Sequence, residues 1–176
     1  MPRRRESPIF SAVPEKVEKA ARAISARLRR AGIPHALVGG LAVNAYAEPR
    51  ATRDVDFLVP VEARAVLGGK PLAASVSGVT IRVGGVNVDL LFPEKGERFL
   101  EEAVRQPRMI DRMPVAFPEV MVYLKMTAVR GARDENDILN MLRAGLNPGK
   151  VELYLRKHAR DLLEDFRQLV AIASLE

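Results

Sequence analysis

The sequence predicts an α+β protein, and three observations carry that expectation. Short apolar stretches at 35–38, 54–59, 79–83 and 86–92 have the length and β-branched content of strands. Amphipathic stripes with apolar residues three and four apart lie on both sides of them, and glycine or proline stands at most junctions. A chain of 176 residues can bury a core as one domain, or one domain with a helical appendage. The expected organisation is a basic flexible tail over 1–13, an α/β core over 14–117, and a C-terminal helical region over 118–176 packed on that core.

Taken in order, Val17, Ala20, Ala21, Ile24, Leu28 and Ala31 form the first apolar stripe, opened by Pro14 and closed by Gly32 and Pro34. A strand from His35 then runs into Gly39 and Gly40, and the small residues from Leu41 to Ala47 can continue as a helix. His35 reads as a strand-end residue. Residues 54–59 are the next strand, Val61 to Leu67 a short helix, and 72–78 a segment without a clear pattern. Val79–Val83 and Val86–Phe92 flank Gly84-Gly85, a hairpin signal. Glu97 to Val104 reads as a helix and 108–117 as one further strand. Helices follow from Pro118 to about Arg130, from an Asp134 cap to Gly145, and from Asn147 through a stripe of Val151, Leu155, His158, Leu162, Phe166, Leu169 and Ala173.

The chemistry concentrates in HALVGGLAVNAYAEPRATRDVDFLVP, residues 35–60. A strand's period of two places Asp54 and Asp56 on one face, and counting backwards adds Thr52 and Arg50. Adjacent carboxylates repel, and a hard divalent cation such as Mg²⁺ resolves that repulsion with oxygen ligands while keeping room for substrate phosphates. Glycines at 39 and 40 let backbone N–H groups approach an anion, although a Gly-Gly pair alone fits a plain tight turn equally well. Asp89 sits inside the apolar run VNVDLLF, where an unpaired charge is costly. Its two readings are an ion pair with Arg82 and a third ligand beside Asp54 and Asp56.

Composition narrows the field. With no cysteine, disulfides, thiolate zinc sites and cysteine nucleophiles are excluded. The balance of 28 Lys and Arg against 22 Asp and Glu gives a net charge of +6, which favours polyanionic partners such as RNA or nucleoside triphosphates. No apolar run has the length of a signal peptide or a membrane span, and the expected location is cytoplasmic, with no membrane partner.

Gly39-Gly40, thirteen intervening residues, Asp54-Val55-Asp56 and then Asp89 on a later strand together resemble the polymerase-beta-like nucleotidyltransferase superfamily. Within it, the row Arg50, Thr52, Asp54, Asp56 and the later RGARDENDI of 130–138 are most similar to the abortive-infection (AbiEii-like), toxin-related nucleotidyltransferases. The resemblance spans residues 33–145. It implies a nucleotidyltransferase fold, with a mixed β-sheet flanked by helices and a C-terminal helical segment. It also implies Mg²⁺ or Mn²⁺ on Asp54, Asp56 and Asp89, which would be the catalytic residues, and a nucleoside triphosphate against Gly39, Gly40, Arg50 and Thr52. Lys125 and Arg133 would reach the triphosphate, unless they are simply solvated charges with Arg133 pairing Asp137.

The implied activity moves a nucleoside monophosphate to a hydroxyl on RNA or tRNA, a protein or a small molecule, with a toxin or antitoxin as a candidate partner. In one departure, positions 40 and 41 are Gly and Leu where many members carry Ser, which leaves only backbone N–H groups for phosphate. That departure motivates a second expectation: a catalytically silent domain of the same fold that binds RNA or a toxin or antitoxin partner. A third is an α+β domain whose acids form surface ion pairs, which an Asp89 far from Asp56 would establish.

Overall fold

The computed structural model describes residues 8–72, 77–128 and 131–175, which form two compact units, 8–45 with 49–116 and 46–48 with 117–175. In the first unit, α1 (Glu15–Arg30) precedes β1 (Ala36–Val38), α2 (Gly39–Val43), β2 (Val55–Leu58), α3 (Ala63–Leu67) and β3 (Lys70–Pro71). There follow β4 (Gly78–Val83), β5 (Val86–Leu91), α4 (Arg98–Arg105), β6 (Arg108–Ile110) and β7 (Met113–Val115). The strands make one mixed seven-stranded sheet in the order β3-β4-β5-β2-β1-β7-β6. β2 runs parallel to β5 and β1 parallel to β7; the other neighbours are antiparallel.

One face of the sheet is closed by α1. Its stripe of Val17, Ala20, Ala21, Ile24 and Leu28 is buried, and the helix packs across β2 and β5. Val86, Val88 and Leu90 are buried, whereas the alternate residues Asn87, Asp89 and Leu91 are exposed or half-buried. The period of two has therefore put Val86, Val88 and Leu90 on the core side of β5 and Asn87 and Asp89 on the other. His35, just ahead of β1, is buried edge-on to Phe57 with ring centroids 5.7 Å apart. Its Nδ1 lies 2.9 Å from the Ile33 carbonyl and its Nε2 2.8 Å from Ser25 Oγ. A neutral ring donating from Nδ1 and accepting from Ser25 satisfies both contacts.

Several elements differ from expectation for local reasons. The strand carrying the acids begins at Val55, so Arg50, Thr52 and Asp54 belong to an irregular loop and not to a longer strand. The helix expected from Leu41 to Ala47 instead begins at Gly39 and stops at Val43. Residues 108–117 hold two strands and not one, because Asp111 and Arg112 take positive φ values of 50° and 64° and turn the chain back. Ile9 and Phe10, assigned to the tail, are buried, and Arg22 lies over the Phe10 ring at 4.7 Å. The expectations for Arg3, Arg4 and Arg5, and for 73–76, fall outside the described residues.

The second unit contains α5 (Pro118–Thr127), α6 (Ala132–Arg143), α7 (Pro148–His158), a 3-10 turn (Arg160–Leu162) and α8 (Leu163–Ala173). Asn147 caps α7 by accepting from the Lys150 amide. Gly131, at φ 69°, is the N-cap of α6, which places Asp134 inside the helix and corrects its assignment as the cap. The long final stripe is split at Ala159 into α7 and α8. Val151, Leu155 and Phe166 from this stripe are buried, whereas Leu162 and Leu169 are half-buried.

Lys125 is also buried, with Nζ 2.9 Å from Asp134 and 2.6 Å from Asp137. It is therefore an internal counter-ion and not a solvated charge. Among the described residues, no helix is long and apolar enough to cross a membrane.

Two stability predictions follow from these buried groups. Burial is the main cause holding the His35 pKa below its ordinary 6.5; the Ile33 hydrogen bond opposes it and the Arg29 charge adds to it. The unfolded chain then binds this proton first as pH falls. His35 thus costs nothing well above pH 6.5, and the protein loses stability as pH drops through 6.5 towards the folded-state value. Urea denaturation at a series of pH values should show that slope in the wild type and a shallower one in His35→Gln. In the second unit, Lys125→Met should lower stability by about 3–5 kcal/mol, because it leaves buried carboxylate charge uncompensated. A loss below about 1 kcal/mol in the same assay would mean that the pair is not buried in solution.

Candidate active site

The site grows from the end of β1. Val38 is the register partner of Asp56 on β2, and the next residue, Gly39, turns the chain with φ 67°. A Cβ at Gly39 would stand 2.0 Å from Asp56 Oδ2, closer than any side chain can come. Glycine is thus required there twice, by its dihedral angle and by the carboxylate against its Cα. A Cβ at Gly40 would stand 2.9 Å from Arg50 Nη2 and 3.3 Å from Thr52 Oγ1. Two glycines therefore bring backbone against an acid on one side and a guanidinium with a hydroxyl on the other.

Asp56 is in turn the register partner of Asp89 on the parallel neighbour β5. Adjacent strands lie about 4.8 Å apart and register partners share a face, so the two carboxylates project side by side. Both are half-buried, while Asp54, two residues before Asp56, is exposed. The arrangement with Asp89 far from Asp56 is excluded. Nor is Asp89 bonded as an ion pair to Arg82 would require: its Oδ1 accepts a hydrogen bond from Thr80 Oγ1, and Arg82 stands opposite Asn87.

The structure thus brings Gly39, Gly40, Arg50, Thr52, Asp56 and Asp89 together, with Asp54 beside them in sequence. Lys125 and Arg133 belong to the helical unit. There the charge of Lys125 is taken up by Asp134 and Asp137, and Arg133 is exposed. Among the described residues, no three His, Cys, Asp or Glu side chains are grouped so that they could hold a metal ion. The site nevertheless offers hard oxygen donors on neighbouring backbone positions, the donor chemistry that Mg²⁺ or Mn²⁺ takes.

Sequence reasoning missed two residues. Asn44 is buried, accepts from the Arg50 amide at 3.0 Å, and donates to the Arg50 and Ile9 carbonyls at 3.0 and 3.2 Å. It fastens the loop bearing Arg50 and Thr52 to the end of α2. The available signal was an asparagine just after the apolar run GLAV and ahead of Pro49. Thr80 is the other. In sequence it is one residue of the strand run Val79–Val83, and only the β4–β5 register places it opposite Asp89.

Comparison with solved structures identifies the fold. A crystal structure of ANT(2″)-Ia in complex with adenylyl-2″-tobramycin aligns with a TM-score of 0.55 at 17% identity, over 85% of this chain and 96% of that one. A solution structure of the antibiotic-resistance factor ANT(2″)-Ia aligns with a TM-score of 0.52 at 18% identity, over 87% and 92% of the two chains. The architecture is a nucleotidyltransferase fold, a mixed seven-stranded sheet flanked by helices. No family model matches the sequence, and neither does any curated protein.

A pair of glycine variants tests the close approach. Gly39→Ala meets both the positive φ and the Asp56 carboxylate, whereas Gly32→Ala, at φ 70° in the turn that ends α1 and with nothing within 4 Å, meets the dihedral cost alone. Urea denaturation should show a loss of about 1–2 kcal/mol for Gly32→Ala and a larger one for Gly39→Ala. Equal losses would mean that Asp56 does not rest against Gly39.

Proposed function

We propose that this protein is a metal-dependent nucleotidyltransferase that moves a nucleoside monophosphate from a nucleoside triphosphate to an acceptor hydroxyl. The observation carrying this reading is the register pairing of Asp56 with Asp89 directly against the Gly39 turn. An ion-pairing role would need cations facing both acids, yet the bond found for Asp89 comes from a hydroxyl. Neighbouring carboxylates on a half-open face instead suit a divalent cation.

In this reading Asp54, Asp56 and Asp89 hold Mg²⁺ or Mn²⁺, which supplies charge neutralisation for the triphosphate and the departing pyrophosphate. The Gly39 and Gly40 backbone and the Arg50 guanidinium receive the phosphates, with Thr52 beside them. A Cβ at position 40 would fall 2.9 Å from Arg50 Nη2, so the guanidinium fills space into which a serine there would project. Cationic contact replaces a hydroxyl. The acceptor oxygen attacks the α-phosphorus, its proton passes to Asp89, and the bond to pyrophosphate breaks with the electron pair leaving on that group. The net charge of +6 favours RNA or tRNA among the acceptors, and the affinity to abortive-infection, toxin-related members rests on the residues alone.

The test is transfer of label from each of four α-labelled nucleoside triphosphates to RNA, protein or hydroxylated small molecules, with Mg²⁺ or Mn²⁺. Transfer should occur with the wild type and fall to background with Asp56→Ala. Transfer retained by Asp56→Ala would remove this residue from the site. Absence of transfer and of metal-dependent nucleotide binding in the wild type would favour a silent binding domain.

A further inference from the structure

We infer that Thr80 is a positioning residue for Asp89, committing one carboxylate oxygen to the protein and leaving the other, Oδ2, for the reaction. The inference rests on the nucleotidyltransferase reading and deepens it. Across the sheet, Val38, Asp56, Asp89 and Thr80 are successive register partners on β1, β2, β5 and β4, so they share one face. Thr80 Oγ1 donates to Asp89 Oδ1. On its other side Thr80 is paired with Lys70 of β3, which fixes its backbone between two antiparallel ladders.

The residue type matters. Threonine is stiff at χ1 on a strand, so its hydroxyl is held where the backbone puts it. A carboxylate tethered through one oxygen loses the freedom to rotate about its own axis, and Oδ2 is presented in one orientation. Without the hydroxyl, Asp89 can turn either oxygen towards Asp56, where like charge repels it, or towards solvent. Partners that orient a ligating carboxylate typically matter by 10–100-fold in metal affinity or activity. An alternative role, cross-strand adhesion alone, predicts a change in stability without a change in metal binding.

The experiment compares wild type, Thr80→Val and Thr80→Ser. Each is titrated with Mn²⁺ by calorimetry in the presence of whichever of the four nucleoside triphosphates the wild type binds, and urea midpoints are recorded in parallel. Valine keeps the β-branched shape and removes only the hydroxyl; Thr80→Ala gives the same readout should Thr80→Val fail to fold. Apparent Mn²⁺ affinity should fall about 10-fold or more in Thr80→Val and stay within about threefold of wild type in Thr80→Ser. Wild-type affinity in Thr80→Val, with or without a change in urea midpoint, would overturn the inference. A wild type that binds no Mn²⁺ with any triphosphate would overturn the nucleotidyltransferase reading itself, and is recognised before any variant is compared.

Discussion

The contact between the Gly39 backbone and the Asp56 carboxylate is the constraint on which the site depends. It exists only because β1 ends at Val38 in register with Asp56, and because the next residue has no side chain and a positive φ. From that contact the positions of Gly40, Arg50 and Thr52 follow on one side and, through the β2–β5 register, Asp89 and Thr80 on the other. A one-residue slip in either register would send an acid to the face covered by α1, where desolvating an unpaired carboxylate costs far more than the contact returns.

The sheet therefore keeps two environments separate. On the helix side, Val88, Leu90 and Phe57 supply burial, each contributing about 1.5–3 kcal/mol relative to exposure. On the other side, acids stand at half-open positions where solvent or a cation can reach them. Apolar burial on the first face offsets the repulsion tolerated on the second. Asn44 extends the same logic to the loop, since its side chain satisfies the buried backbone groups of Arg50 and Ile9 that no strand is present to pair.

Much of this was legible in the sequence, for identifiable reasons. The α1 stripe, the Gly84-Gly85 hairpin and the alternation in VNVDLLF are periodic signals that local physics makes strong. The hairpin at Asp111 and Arg112 was missed because two non-glycine residues rarely occupy positive φ. The break at Ala159 was hidden because the apolar spacing continues across it. Within the site, the acids and glycines could be named from residue type and spacing. Thr80 could not, since its importance lies in a cross-strand register that no local pattern encodes. The pairing of Lys125 with Asp134 and Asp137 was equally unreadable, because it depends on how α5 meets α6.

If Asp54 and Asp56 stand at a metal-dependent nucleotide site, calorimetric titration of the four nucleoside triphosphates, with and without Mg²⁺, separates the wild type from a double Asp54→Ala, Asp56→Ala variant. Binding should require Mg²⁺ and be lost in the double variant while the urea midpoint is retained. Binding of equal strength in the variant, or no binding by the wild type under any of these conditions, would rule out such a site at these acids.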